Sequence, residues 1–210
     1  VNISQVARLL NEADVKTRCG PNLLEEIVGR REGYYRLEKR NEEWLYIFID
    51  CEKREPGVEE IHKRFVNEYE AVMFYYFKKL SQKYRSQYVY PFEEQNKDIR
   101  IGWPDFNLAN LKEAIKRLGI KENYYDFNNV KKEHSICLEE VSKNTSKVKF
   151  IGNGNNVILE TLELENWDAY SAMFTRVYLL FLLDRYCKSL IKSKEIEKTF
   201  SDNEYSIFIK

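Results

Sequence analysis

The chain carries few groups spaced for chemistry. His62 lies in Glu59-Glu60-Ile61-His62-Lys63-Arg64 and His134 follows Lys131-Lys132-Glu133. Such charged surroundings predict two solvated imidazoles. Cys19, Cys51, Cys137 and Cys187 are 32, 86 and 50 residues apart, which fits neither a zinc site nor a CxxC redox pair. A Cys–His nucleophile would need Cys51 or Cys137 to meet a histidine in space, and nothing in the spacing brings them together. Asp50 and Glu52, followed by Lys53, close an apolar run. Two acids and a lysine at a strand end are the ingredients of a metal-dependent nuclease. Here, however, Glu52 and Lys53 are adjacent, and neighbours on a strand point to opposite faces. A polar strand end turning into a loop accounts for them. Gly152-Asn153-Gly154 has neither a third glycine nor a following helix, so it reads as a hairpin turn and not as a phosphate cradle. With no Walker lysine, no Gly-x-Ser-x-Gly elbow and no kinase set, the expectation is a chain without catalytic residues, metal or cofactor.

Bulk properties narrow the classes further. The 210 residues include 34 Lys+Arg and 34 Asp+Glu, 43% hydrophobic and 14% aromatic. That aromatic and aliphatic content argues against disorder. The zero net charge argues against direct nucleic-acid binding. The most apolar run, 177–183, is too short to span a membrane. The N-terminus has no secretory apolar region, and unpaired-looking cysteines suit a reducing compartment, so a cytoplasmic protein is expected. The richness in Lys, Glu, Asn, Ile and Tyr suggests a low-GC bacterial genome.

Charge is uneven along the chain. Residues 41–60 carry a net −5, 71–90 a net +4, and 160–168 a net −4. Solvated faces are the plain reading. An acidic patch beside tyrosines would also suit a basic protein partner, with charge steering the encounter and aromatics anchoring it. The pairs Tyr34-Tyr35, Tyr75-Tyr76, Tyr88 with Tyr90, and Tyr124-Tyr125 supply such aromatics. The candidate partner-binding set is therefore Glu160, Glu163, Glu165 and Asp168, with Tyr124, Tyr125 and Asp126 as anchors.

These residues must be positioned by an α+β fold. Ile3, Val6, Leu9 and Leu10 predict a short helix over 3–13, and residues 19–22 a break. Residues 23–30 fit either a helical turn or a strand. Residues 34–37 and 44–49, joined by Asn41-Glu42-Glu43, predict a hairpin whose second strand is buried on both faces. Ile61, Phe65, Tyr69, Val72, Tyr76, Leu80 and Tyr84 predict a long helix over 58–86, and Tyr90-Pro91-Phe92 should end that half. Asn107 should cap a helix over 108–119. Strands are expected at 135–139, 147–151 and 156–164, a second long helix over 165–193, and a β-like tail at 205–209. The result is antiparallel hairpins packed on two long helices, with lobes at 1–92 and 107–210 and a connecting segment at 93–106. The parallel order of elements fits either an internal αββα duplication or convergence of a generic pattern.

Gly33-Tyr34-Tyr35, then Glu38-Lys39-Arg40, an aromatic strand and a helix containing Tyr69-Glu70 resemble immunity proteins of bacterial polymorphic toxin systems, over the stretch up to Phe92. The family pattern has Glu-Arg-Gly where this chain has Glu38-Lys39-Arg40. The resemblance implies a cytoplasmic, non-enzymatic protein that occludes a cognate protein toxin. It carries over no toxin-contacting residue. The alternatives are an enzyme such as a metal-dependent nuclease at Asp50 and Glu52, or a homo-oligomeric module burying 177–183 against a second subunit.

Overall fold

The computed structural model describes residues 2–29, 33–51 and 57–210. The chain is α+β, with two largely antiparallel sheets. It divides into two compact units, Val1–Lys83 and Tyr84–Lys210. That division falls ahead of residue 92, where the sequence pattern ends its first lobe.

In the first unit, helix α1 (Ile3–Glu12) is capped by Asn2, whose side chain accepts a hydrogen bond from the Gln5 N–H at 2.9 Å. It buries Ile3, Val6, Leu9 and Leu10. Strands β1 (Thr17–Gly20) and β2 (Leu23–Glu26) form a hairpin, so the expected break is its turn and the ambiguous 23–30 begins as a strand. Strands β3 (Tyr34–Arg40) and β4 (Glu43–Asp50) pair through a two-residue turn with Asn41 and Glu42 both at positive φ, 47° and 66°. That geometry follows the twist of the flanking strands. β5 (Val58–Phe65) completes a meander in the order β1-β2-β3-β4-β5, and α2 (Glu68–Tyr84) follows. The helix expected from residue 58 therefore begins ten residues later. Ile61 and Phe65 are four apart, and a separation of four returns to the same face of a strand as well as of a helix. Pairing with β4 decided between the two.

α2 docks on one sheet face. Tyr46 stands edge-on to Phe74 and Tyr75, with ring centroids 5.1 and 6.0 Å apart, and the Tyr75 hydroxyl donates to the Tyr35 carbonyl at 3.1 Å. Lys79, 2% exposed, donates to Glu26 at 2.8 Å beneath the Tyr35 ring. Tyr75 and Tyr76 are both buried, so neither is a surface anchor. Lys79 likewise drops out of the positive run at 71–90. On the other face, Leu45, Ile47 and Ile49 pack together. Arg36, Glu38, Arg40 and Glu59 share that face and pair with one another. Their alkyl stems cover the apolar row while their charges stay wet.

The second unit begins with a π-helical turn, Arg85–Val89, leading into α3 (Tyr90–Gln95) with Pro91 in its first turn. Tyr90-Pro91 thus opens a helix where a stop was expected; proline is tolerated there because its missing N–H has no acceptor to satisfy. α4 (Leu108–Arg117) follows, capped by Asn107 as predicted. β6 (Tyr125–Asp126), β7 (Ser135–Glu140), β8 (Thr145–Ile151), β9 (Val157–Glu160) and β10 (Leu164–Glu165) form a sheet of order β10-β8-β7-β6, with β9 also paired to β8 and β6 parallel to β7. The sheets thus differ in strand order, and each holds five strands where the αββα pattern calls for two.

α5 (Asn166–Lys192) packs against β7, β8, α4 and α6 (Asp202–Ile209). Val177, Leu179, Leu180 and Leu183 are fully buried and only Phe181 and Leu182 are half-buried, so most of the apolar run offered as a subunit interface is internal. Residues 205–209 are helical and not β-like. Ser201 and Glu204 form a capping box, the Glu204 N–H bonding Ser201 Oγ at 3.3 Å and the Ser201 N–H bonding Glu204 Oε2 at 2.6 Å. That S-x-x-E signature starts a helix that a five-residue apolar run cannot reveal. Among the described residues, no helix is long and apolar enough to cross a membrane.

A candidate protein-binding cleft in the second unit

An open cleft of about 800 Å³ lies where three chain segments meet: residues 104–109, residues 144–145, and residues 165–167 with Tyr170. Each segment is fixed locally. Asn107 Oδ1 accepts from the N–H groups of Ala109 and Asn110 at 3.0 and 3.1 Å, which sets the start of α4. Arg100 and Gly102 both adopt positive φ and turn the preceding chain. This presents Trp103, 57% exposed, under the Arg100 guanidinium at 4.6 Å, while Arg100 Nε holds Asp105 at 2.9–3.0 Å. Phe106 is buried beneath the cleft.

Asn166, the first residue of α5, ties the other two segments together. Its N–H donates to the Asn144 carbonyl at 2.9 Å, its Nδ2 donates to the Lys143 carbonyl at 3.0 Å, and its Oδ1 accepts from Ser146 Oγ at 2.8 Å. Glu165 accepts from Trp167 Nε1 at 2.6 Å, which orients the indole, and Glu163 accepts from Thr145 Oγ1 at 2.5 Å. Glu163 and Glu165 are exposed and Asp168 is half-buried in the first turn of α5. Among the described residues none of these three carboxylates forms an ion pair. Just ahead of them in the chain, Leu162 is 85% exposed.

Of the sequence-derived set, this region holds Glu163, Glu165 and Asp168. Glu160 is close in sequence but differently placed. It caps a row of cross-strand ion pairs, to Lys147 at 2.9 Å and Lys149 at 3.4 Å, and Lys149 also binds Glu139. Those lysines, Lys147 foremost, hold its carboxyl below the usual range. The −4 run is thus partly neutralised from across the sheet.

Tyr124, Tyr125 and Asp126 sit elsewhere. β7 and β8 separate β6 from β10, about 14 Å at the usual strand spacing. Tyr124 is buried and its hydroxyl donates to Asp184. Asp126 is buried and accepts from the N–H groups of Asn128 and Val130 at 2.7 and 2.9 Å, closing a local turn. Tyr125 is half-buried against Phe127. The structure gives these three internal work and does not bring them to the cleft.

The other reactive groups are similarly tied into the fold. His134 is half-buried, edge-on to Tyr205 with centroids 4.2 Å apart, and burial lowers its pKa. It is not the solvated residue its charged sequence neighbours suggest. Cys137 and Cys187 are buried, and burial pushes the Cys137 thiol up to about 11, which makes it a poor nucleophile. His62 is exposed, as its charged neighbours suggest, with its ring edge against Tyr35, Tyr46 and Phe48 and its Nε2 3.2 Å from Glu60. Of the nuclease candidates, Asp50 ends β4, while Glu52 and Lys53 lie outside the described residues. Among the described residues no group of three or more His, Cys, Asp or Glu could hold a metal ion.

Trp103, Asp105, Thr145 and Tyr170 were missing from the sequence-derived set, although Gly102-Trp103-Pro104-Asp105 ahead of the Asn107 cap marks a shaped loop. No protein-family model, curated protein or solved structure matches the chain.

Proposed function

We propose that this chain is a non-enzymatic protein-binding module whose second-unit cleft receives a basic segment of a partner protein. The carrying observation is a cleft lined by Glu165, Trp167 and Tyr170, with Glu163 bonded to the lining Thr145, Asp168 in the first turn of α5, and none of the three carboxylates in an ion pair among the described residues. Tryptophan and tyrosine supply large contact area at low entropic cost, and carboxylates without an intramolecular cation are available to a cationic one. The resemblance of the segment from Gly33 to Phe92 supports a finer reading. On it, the partner is a bacterial toxin domain, and the module acts in the cytoplasm as an immunity protein by covering the toxin's active site.

The test is co-expression with the C-terminal domain of the adjacent open reading frame. The expected result is a stoichiometric complex that relieves toxicity. Glu163→Lys with Glu165→Lys should weaken it about tenfold at low salt, with the gap closing as salt rises. An affinity indifferent to both reversals at low salt removes the cleft from the binding surface.

A further inference from the structure

Arg176 occupies a place in α5 that its neighbours give to apolar side chains. It lies three residues after Met173, four before Leu180, and seven from both Ala169 and Leu183, all of them fully buried. Steps of three, four and seven return to one face of a helix, so a guanidinium stands in the buried stripe. Its Nε is sealed from solvent with no hydrogen-bond partner. Its Nη1 donates to the Ala172 carbonyl at 3.3 Å. Burial first, and then the charge of Arg85, lower its pKa, yet a guanidinium stays charged at any ordinary pH. A buried charge is costly unless an anion meets it.

Arg85 belongs to the π-helical turn that packs against α5. The Tyr90 N–H reaches back five residues to the Arg85 carbonyl; such local widenings recur at functional sites. Both arginines are half-buried. The Arg176 Nη2 and all three Arg85 guanidinium nitrogens bond nothing among the described residues and stay open to solvent. Asp168, two turns earlier on α5, and Glu93, two turns after Arg85, are within electrostatic reach. Neither forms an ion pair with them. Elsewhere the arginines are matched: Arg36, Arg40, Arg64, Arg100 and Arg117 each touch a carboxylate.

Two like charges on packed elements of the second unit, one in an apolar stripe and neither neutralised, call for an oxyanion from outside the chain. A carboxylate is satisfied by one guanidinium fork, whereas a tetrahedral phosphate accepts from two and carries about −1.5 to −2 at neutral pH. We propose that Arg85 and Arg176 form an anion site for a phosphate group, either free or as the terminal monoester of a small molecule. Neither arginine lines the cleft offered to a basic segment, so the site does not rest on that reading.

The test is equilibrium dialysis of the full chain against orthophosphate from about 10 μM to about 10 mM, with sodium chloride holding ionic strength constant. The expected result is saturable uptake of one phosphate per chain. Arg176→Met and Arg85→Gln, each checked for an unchanged far-UV circular dichroism spectrum, should each weaken uptake about tenfold or more. Arg85→Gln changes a half-buried side chain that bonds nothing, so it keeps the test decisive if Arg176→Met misfolds. Phenyl phosphate distinguishes the two sources: binding at least as tight as orthophosphate marks a monoester site, and clearly weaker binding marks a site for the free anion. Acetate at the same concentrations should not compete. Absence of saturable uptake overturns the proposal. So does uptake that the folded variants retain in full, or displacement by acetate on equal terms.

Discussion

The two units attach a long helix to a sheet by different means. In the first, α2 meets β2, β3 and β4 through a buried lysine, a carboxylate and edge-on aromatics: Lys79 to Glu26, Phe74 and Tyr75 to Tyr46 at 5.1 and 6.0 Å, and Tyr75 to the Tyr35 carbonyl. In the second, α5 presents Met173, Phe174, Val177, Leu180, Leu183 and Cys187, all buried and apolar. An apolar contact is tolerant of small shifts, whereas a buried charge is stable only where its partner stands. The first arrangement therefore selects one docking geometry, and the second supplies most of its strength by area.

The comparison is broken most severely at Lys79. Lys79→Ala leaves Glu26 without its cation and should cost about 3–5 kcal/mol in urea unfolding. Lys79→Met with Glu26→Gln should cost clearly less, because no charge is left stranded. Leu180→Ala in the second unit should cost about 2–5 kcal/mol through a cavity, with no new pH dependence. Asp202→Ala should cost about 1–2 kcal/mol. It removes the acceptor of the Asn153 backbone N–H at 2.9 Å and of its side-chain amide at 3.0 Å, which tie the β8–β9 turn to α6.

The smallest effect sharpens the contrast in pH. Burial keeps His134 neutral, so its native pKa lies below that of the unfolded chain. At neutral pH it is uncharged in both states and contributes no pH dependence. As pH falls below about 6.5, the unfolded chain takes up the proton first, and stability falls until the native histidine also titrates. His134→Asn retains a residue tolerant of the positive φ of 58° and should lose that share of acid sensitivity. Thermal melts of parent and variant at pH 7 and pH 5 measure it.

Much of the fold was legible in the sequence because local signals were strong. Asn107 predicted its helix, Asn41-Glu42 and Gly152-Asn153-Gly154-Asn155 their turns, and the stripe from Trp167 to Leu183 its long helix. The errors arose where one pattern served two periods. Ile61 and Phe65 fit helix and strand alike, and sheet pairing resolved them. At 205–209 the deciding residues were Ser201 and Glu204, outside the apolar run. The cleft was legible only in its acids. Glu163 and Glu165 stand out in a charge count, but Thr145 is set beside them by the pairing of β8 with β10, which depends on tertiary structure. The neutralisation of Glu160 had a signal, since Lys147 and Lys149 alternate on β8 and share a face.

The meander of the first unit also bears on the order of events in folding. Every strand there pairs with the one made just before it, so each new hydrogen-bonded ladder closes a short loop. The second sheet sets β10 beside β8, puts a parallel crossover between β6 and β7, and places α6, the last helix, against β9. Contacts close in sequence form sooner than distant ones. During synthesis the first unit can assemble strand by strand as it emerges, while the second must wait for its final helix. Pulse-labelled hydrogen exchange should find β3 and β4 protected before β8.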